Sequence, residues 1–253
     1  MGKLGNSTIL LLMLTDNLIK KIIQVVRYFE TSKVTGADYG ALSMFNDGPG
    51  NRKQITYGAS QTTEFGMLHK LIQMYIDAKG EYTSSFEAYI SRIGDPTKPT
   101  LADDRAFIIL LKSAAKDPIM WQVQDQFFRQ YYFHPAEDWF EKHGFSLPLS
   151  MLVIYDSFVQ SGSIMDFLRN RFPEKVPVDG GNEREWISEY VQVRDVWLET
   201  NTARPILRNT DYRTDSFIYA IRQDNWMLDK PFTVVNYPDP ANQQTPQVWA
   251  TIS

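Results

Sequence analysis

The sequence holds no cysteine and only three histidines, His69, His134 and His143. Without cysteine there is no disulfide framework, no thiol nucleophile and no thiolate zinc site. None of the histidines falls in a His-x3-His pair, which argues against a histidine-held metal, and no Gly-x-Ser-x-Gly elbow supports a Ser-His-Asp triad. Acid–base chemistry is thereby left to Asp and Glu. A basic surplus is also missing. Lys and Arg number 26 against 30 Asp and Glu, a net charge of −4, whereas a general nucleic-acid binder would be basic. Long hydrophobic runs are absent too. Ile9–Leu14 is apolar for six residues and is followed closely by Asp16, Lys20 and Lys21, while a membrane span needs roughly 20. The run is short for the apolar region of a signal peptide and no Ala-x-Ala pattern follows it. It reads as the start of a core helix, with no membrane association and no recognisable signal peptide.

What is present is an ordinary globular composition, 43% hydrophobic and 22% charged over 253 residues, ample to bury a core. Helical periodicity dominates. Asp16 or Asn17 can cap a helix in which Leu18, Ile22, Val25, Val26 and Phe29 share a face and which ends at Glu30. The texture then changes. Ala41–Phe45, the turn Asn46-Asp47-Gly48-Pro49-Gly50 and Gln54–Tyr57 read as a β-hairpin. Helical spacing returns from Thr63, with Leu68, Leu71, Ile72 and Tyr75 on one face and a stop at Lys79-Gly80. Further helices are expected at about 84–92, 102–116, 118–133, 136–144, 148–160, 182–200 and 214–226, with Asp117-Pro118 as a cap and first-turn proline. The tail, with Pro231, Pro238, Pro240 and Pro246, reads as irregular or extended. With no repeat and no linker, residues 1–253 are expected to form one mainly α (α+β) domain with a single small sheet.

Two sets of residues could carry chemistry. Glu30 ends an apolar helix and Asp47 lies beside the hairpin turn, 17 residues later. A carboxylate at a helix end and another on a hairpin suit glycoside hydrolysis, in which one protonated acid serves the leaving oxygen and one ionised carboxylate activates water. The same residues fit a plainer reading, because Asn-Asp-Gly is ordinary turn chemistry and a helix-end Glu is usually solvated. Asp156 lies on an apolar helical face, with Leu152, Val153, Val159 and Gln160 as its helical neighbours, and Arg194 repeats the pattern beside Trp186, Tyr190, Trp197 and Leu198. A buried charge must be paired, so an Asp156–Arg194 pair extended by Arg213 is expected unless these residues reach water at a helix edge. Thr56 offers a hydroxyl that could position water. Ser60, Thr62 and Thr63 are helix-cap candidates, and Glu64 suits the first turn of the following helix.

The order of these features resembles the chitosanases of glycoside hydrolase family 46. The resemblance rests on the helix ending in Glu30, the Asn-Asp-Gly-Pro-Gly hairpin and Ile55-Thr56-Tyr57-Gly58-Ala59-Ser60-Gln61-Thr62-Thr63-Glu64. It continues through Tyr131-Tyr132-Phe133-His134-Pro135-Ala136, Tyr155-Asp156, Asp179-Gly180-Gly181-Asn182-Glu183 and Arg213-Thr214-Asp215, spanning roughly residues 17 to 240. It implies a lysozyme-like fold of two lobes with the small sheet at the cleft between them, and inverting hydrolysis of β-1,4 links between glucosamine units within chitosan. By position, Glu30 matches the general acid, Asp47 the general base and Thr56 a threonine that holds the attacking water. Asp156, Arg194 and Arg213 match a buried network that supports the base and shapes the cleft. Glu64 approximates a carboxylate that binds substrate amines, and Arg52 a further substrate contact. The hairpin departs from the family pattern, with Thr56 nine residues after Asp47.

The resemblance further implies a secreted enzyme that works on a polysaccharide, without metal or cofactor and without nucleic acid. Nothing in the sequence demands more than a monomer. A peptidoglycan muramidase on the same fold and a glycan-binding protein without activity are the competing readings. The acidic net charge favours a polycationic substrate.

Overall fold

The computed structural model describes residues 14–59, 61–238 and 245–253. Most of Ile9–Leu14, and also Ser60 and Pro240, therefore lie outside the described residues. The chain divides into two compact units. One takes residues 37–131, and the other takes the chain up to Gly36 together with Tyr132–Ser253. The elements are α1 (Asp16–Thr31), β1 (Leu42–Gly48), β2 (Arg52–Tyr57), β3 (Thr62–Thr63), α2 (Leu68–Asp77), α3 (Thr83–Glu87), α4 (Arg105–Ala114), α5 (Pro118–Phe128), α6 (His134–Lys142), α7 (Pro148–Ser161), α8 (Asp166–Arg169), α9 (Glu183–Glu199), α10 (Tyr212–Arg222), β4 (Phe232–Asn236) and β5 (Gln247–Ile252).

The larger unit is built around α7. From Pro148 to Ser157 every residue of that helix is buried, because it carries an apolar side chain on almost every face. Helices α1, α6 and α9 pack against it. Leu149, Met151, Leu152, Val153 and Ile154 are sealed from solvent, each contributing about 1.5–3 kcal/mol of burial. Helix α1 buries Ile22, Val25, Val26 and Phe29 of the expected stripe, with Ile19 buried in place of Leu18, which is half-buried. Its cap is Thr15, whose hydroxyl accepts from the Leu18 N–H at 3.3 Å, one residue before the expected Asp16.

The second unit carries an antiparallel sheet in the order β1-β2-β3. The sequence places the start of a helix at Thr63. Instead Thr62 and Thr63 pair with Tyr57 and Thr56, and Thr62 Oγ1 donates to the Tyr57 carbonyl at 2.9 Å. β-branched side chains favour this extended state, and α2 begins only at Leu68. Gly58 makes the turn before this strand. Its φ is +78°, and a Cβ there would meet Gln124 Oε1 at 2.4 Å, an atom that accepts the Ala59 N–H at 2.9 Å.

The expectation of a single sheet is also corrected. β4 and β5 form a second, antiparallel one. Pro231, Pro238 and Pro246 flank these strands and do not interrupt them, which is how proline is tolerated beside a sheet. The helix expected over 118–133 holds to Phe128 and then widens into a π-turn at Arg129–Phe133, and the one expected over 84–92 is shortened to Thr83–Glu87. No helix of the described residues is long and apolar enough to cross a membrane.

Candidate active site

Glu30 stands in the last turn of α1. The helix stops there because Ser32 turns left-handed, at φ 56°, and its N–H closes on the Tyr28 carbonyl at 2.7 Å. The Glu30 side chain is 24% exposed, and Arg213 Nη2, from α10, donates to its Oε1. A carboxylate at a helix C-terminus faces the negative pole of the helix dipole, so a guanidinium at this point offsets a local cost. Arg213 Nη1 donates to Asp156 Oδ1 at 2.9 Å, and the other oxygen of Asp156 accepts from Arg194 Nη2 at 2.7 Å. Both Asp156 and Arg194 are fully buried. The paired core charges read from the sequence are thus present, extended by Arg213 to Glu30.

The chain of contacts runs one step further than the sequence indicated. Arg194 Nη2 also donates to Gln160 Oε1, and Gln160 Nε2 donates to Thr210 Oγ1 at 2.8 Å. Gln160 follows Asp156 by one helical turn on α7, the neighbour that the spacing places there, but its bond to Arg194 is not legible from that spacing. Two carboxylates and two guanidiniums make the cluster neutral as a whole. Burial works against the Arg213 charge, but the carboxylates of Asp156 and Glu30 outweigh it and push its pKa up. The phenols of Tyr132, Tyr155 and Tyr212 are all pushed up, first by burial and then in part by the Glu30 charge. Glu30 therefore lies near neutral aromatic hydroxyls and the Arg213 cation. Tyr212, unmarked in the sequence, donates its hydroxyl to the Phe29 carbonyl at 2.6 Å.

In the second unit, Asp47 owes its position to a β-bulge. Phe45 pairs with Gln54 and Gly48 with Arg52, so Asn46 and Asp47 stand against Lys53 alone. Such an extra residue re-aims a side chain out of the regular pleat, and Asp47 is exposed. One contact orients it, from Gln54 Nε2 to Asp47 Oδ1 at 3.0 Å. Gln54 is buried, and its Oε1 accepts the Phe65 N–H at 3.4 Å. Sequence reasoning passed over Gln54, although a polar residue alternating with Ile55 and Tyr57 was the available signal. Thr56 lies two residues along β2, on the same strand face as Gln54, and is buried.

Two sequence expectations change here. Glu64 does not stand in the first turn of a helix. It is buried, with Oε1 accepting from the Leu101 N–H at 2.7 Å and Oε2 from Thr100 Oγ1 at 2.8 Å and the Ile55 N–H at 3.3 Å. Three of its roughly four acceptor sites are used by the fold. Arg52 donates Nη1 to the Pro96 carbonyl at 2.6 Å and Nη2 to the Lys98 carbonyl, and it stacks over Phe65. It ties down the loop 95–98. Among the described residues no group of three or more His, Asp or Glu is arranged to hold a metal ion.

Comparison with known proteins places this geometry in a family. The sequence model of glycosyl hydrolase family 46 matches residues 24–232, a stretch that includes Glu30, Asp47, Thr56, Asp156, Arg194 and Arg213. A chitosanase of Bacillus subtilis (strain 168) is 25% identical over 224 residues, 83% of this chain and 79% of its own. Among solved structures, the glycoside hydrolase family 46 chitosanase of Gynuella sunshinyii in complex with chitotetraose aligns with a TM-score of 0.73 at 20% identity, over 93% of this chain and 98% of that one. The native chitosanase of Bacillus subtilis MY002 gives the same score and identity over 92% and 98%. The structural likeness shows a shared, mainly helical fold, and the match over residues 24–232 shows that the chain belongs to glycosyl hydrolase family 46 and is a glycoside hydrolase.

Proposed function

We propose that the protein is an endo-chitosanase that cleaves β-1,4 links between glucosamine units with inversion at the anomeric carbon. The observation that carries this reading is the Glu30–Arg213–Asp156–Arg194 chain. A carboxyl group near solvent is fixed at the end of a helix by a buried ion-pair network, inside the region that matches the family. Glu30 gives its proton to the glycosidic oxygen as the bond to C1 breaks. Asp47, exposed on its bulge, takes a proton from a water whose oxygen forms the new bond to C1 from the opposite face. Thr56 helps to hold that water. Gln54 orients Asp47, and Arg213, Asp156 and Arg194 position Glu30. This assigns the buried network to the acid, whereas the family resemblance assigns it to the base. The reaction draws on no metal or cofactor in this account.

The substrate assignment rests on the family, on relatives that are chitosanases, and on charge. Chitosan is a polycation when its amines are protonated, and a protein of net charge −4 attracts it. We further propose that residues 1–253 act as one catalytic domain of two lobes, as a monomer working outside the cell. The test is reducing-end release, run in parallel on highly deacetylated chitosan and on purified peptidoglycan. Release from chitosan alone is expected. Release from peptidoglycan alone would make the protein a muramidase with the same carboxylates, and binding to chitosan with no release from either polymer would make it a glycan-binding protein.

A further inference from the structure

We propose that Trp249 is a platform for one protonated amino-sugar unit of the substrate beside Glu30, an inference that rests on the chitosan reading above. Four observations converge on this residue. First, Trp249 is the extra residue of a β-bulge. Val234 pairs with Ala250 and Val235 with Val248, leaving Trp249 without a cross-strand partner. The other bulge with an unpaired residue, in β1, is the one that carries Asp47, and bulges recur where a sheet must aim a side chain at a site.

Second, the indole is 45% exposed although it packs against a ring, with its centroid 5.0 Å from that of Tyr212. Third, Tyr212 leads directly to the acid. Its hydroxyl bonds the carbonyl of Phe29, the residue before Glu30, and the next residue along α10, Arg213, holds the Glu30 carboxylate. Fourth, the chemistry fits. A glucosamine unit carries an ammonium group, and the face of an indole attracts a cation more strongly than any other side-chain ring.

The half-buried Trp197 and the exposed Trp121 fit less well. Trp197 lines a cavity of about 420 Å³ together with Arg204 and an adjoining one with Arg171, cations that would repel an ammonium. Trp121 is stacked on Tyr39, with 5.8 Å between ring centroids, and donates its N–H to the Ala115 carbonyl. Trp249 lies beyond residues 24–232, the stretch matched by the family model.

The test compares Trp249→Leu, which keeps apolar contact with Tyr212 but has no ring face, with Trp249→Phe, which keeps a weaker one. On highly deacetylated glucosamine oligomers, Trp249→Leu is expected to raise KM by about three- to tenfold, more than it lowers kcat, with Trp249→Phe in between. The rise is expected to shrink on N-acetylated oligomers, which carry no ammonium. A KM in Trp249→Leu equal to wild type, or the same rise in both variants, overturns the proposal. If Trp249→Leu loses its far-UV circular dichroism, the decision passes to Trp249→Phe, in which a glucosamine tetramer is expected to cause a smaller change in indole emission than in wild type. An unchanged signal there overturns it. A wild-type protein that releases nothing from chitosan would instead fail the functional reading, and this inference with it.

Discussion

Glu30 and Asp47 are both carboxylates, yet the molecule treats them in opposite ways. Glu30 ends a long helix and is gripped by Arg213, behind which lie the fully buried Asp156 and Arg194. Asp47 sits on a two-residue bulge, open to solvent, with a single amide from Gln54 to orient it. The difference matches the tasks proposed for them. An acid that must meet one glycosidic oxygen gains from rigid placement. A base that must take up a water gains from access to solvent. It follows that damage behind Glu30 should cost both stability and rate, and damage behind Asp47 mostly rate.

The sharpest way to break the comparison is at the carboxylates themselves. Glu30→Gln and Asp47→Asn are each expected to lower kcat on chitosan by roughly 10²- to 10⁴-fold, with thermal unfolding close to wild type. Full activity in either variant would remove that residue from the mechanism. Next in size is Asp156→Ala, which strands two buried guanidiniums. Breaking such a pair costs about 3–5 kcal/mol, so denaturant unfolding should show a loss of that order together with a fall in kcat. A loss below about 1 kcal/mol, the range of exposed ion pairs, would mean that the network is not the support described here.

Smaller effects separate the two sides. Gln54→Leu removes the side-chain hydrogen bond from Gln54 to Asp47. It is expected to lower kcat by about tenfold, the equivalent of one hydrogen bond of about 1–1.5 kcal/mol, with KM little changed. Gln160→Met removes an acceptor from Arg194, three ion pairs away from Glu30, and a fall of about two- to threefold is expected from so remote a support. A larger loss in Gln160→Met than in Gln54→Leu would reverse the ranking.

A separate effect concerns pH and stability, not rate. Burial, reinforced by the neighbouring carboxylates Asp195, Asp211 and Glu199, pushes the Asp215 pKa up to about 7, against the pull of the Tyr237 N–H. The folded protein therefore holds this proton more tightly than the unfolded chain does. The stability this gives is complete below the unfolded pKa of 3.8 and is lost as pH rises through about 7. Asp215→Asn should flatten the fall in melting temperature between about pH 4 and 7. An unaltered slope would place the titration elsewhere.

How far the sequence revealed this arrangement depended on the range of the interactions involved. Helices α1, α7 and α9 were legible because their apolar spacing is local, and Asp156 and Arg194 stood out as charges on apolar faces. The pairing of β4 with β5 was not, since prolines beside the strands masked a long-range contact. Glu64 was misjudged because a Glu after two threonines looks like a helix start, whereas its oxygens are taken up by Thr100 and Leu101, 36 and 37 residues away. The bulges that expose Asp47 and Trp249 exist only in the register between strands, which no single segment encodes.

The most direct test of the two-carboxylate account is proton NMR of the anomeric signals during digestion of chitosan by the wild-type protein. The account predicts that the α-anomer of the new reducing end appears first and that the β-anomer grows later by mutarotation. The β-anomer appearing first would mean retention, with a carboxylate attacking C1 directly, and would contradict the assignment of Asp47 as the base that activates water.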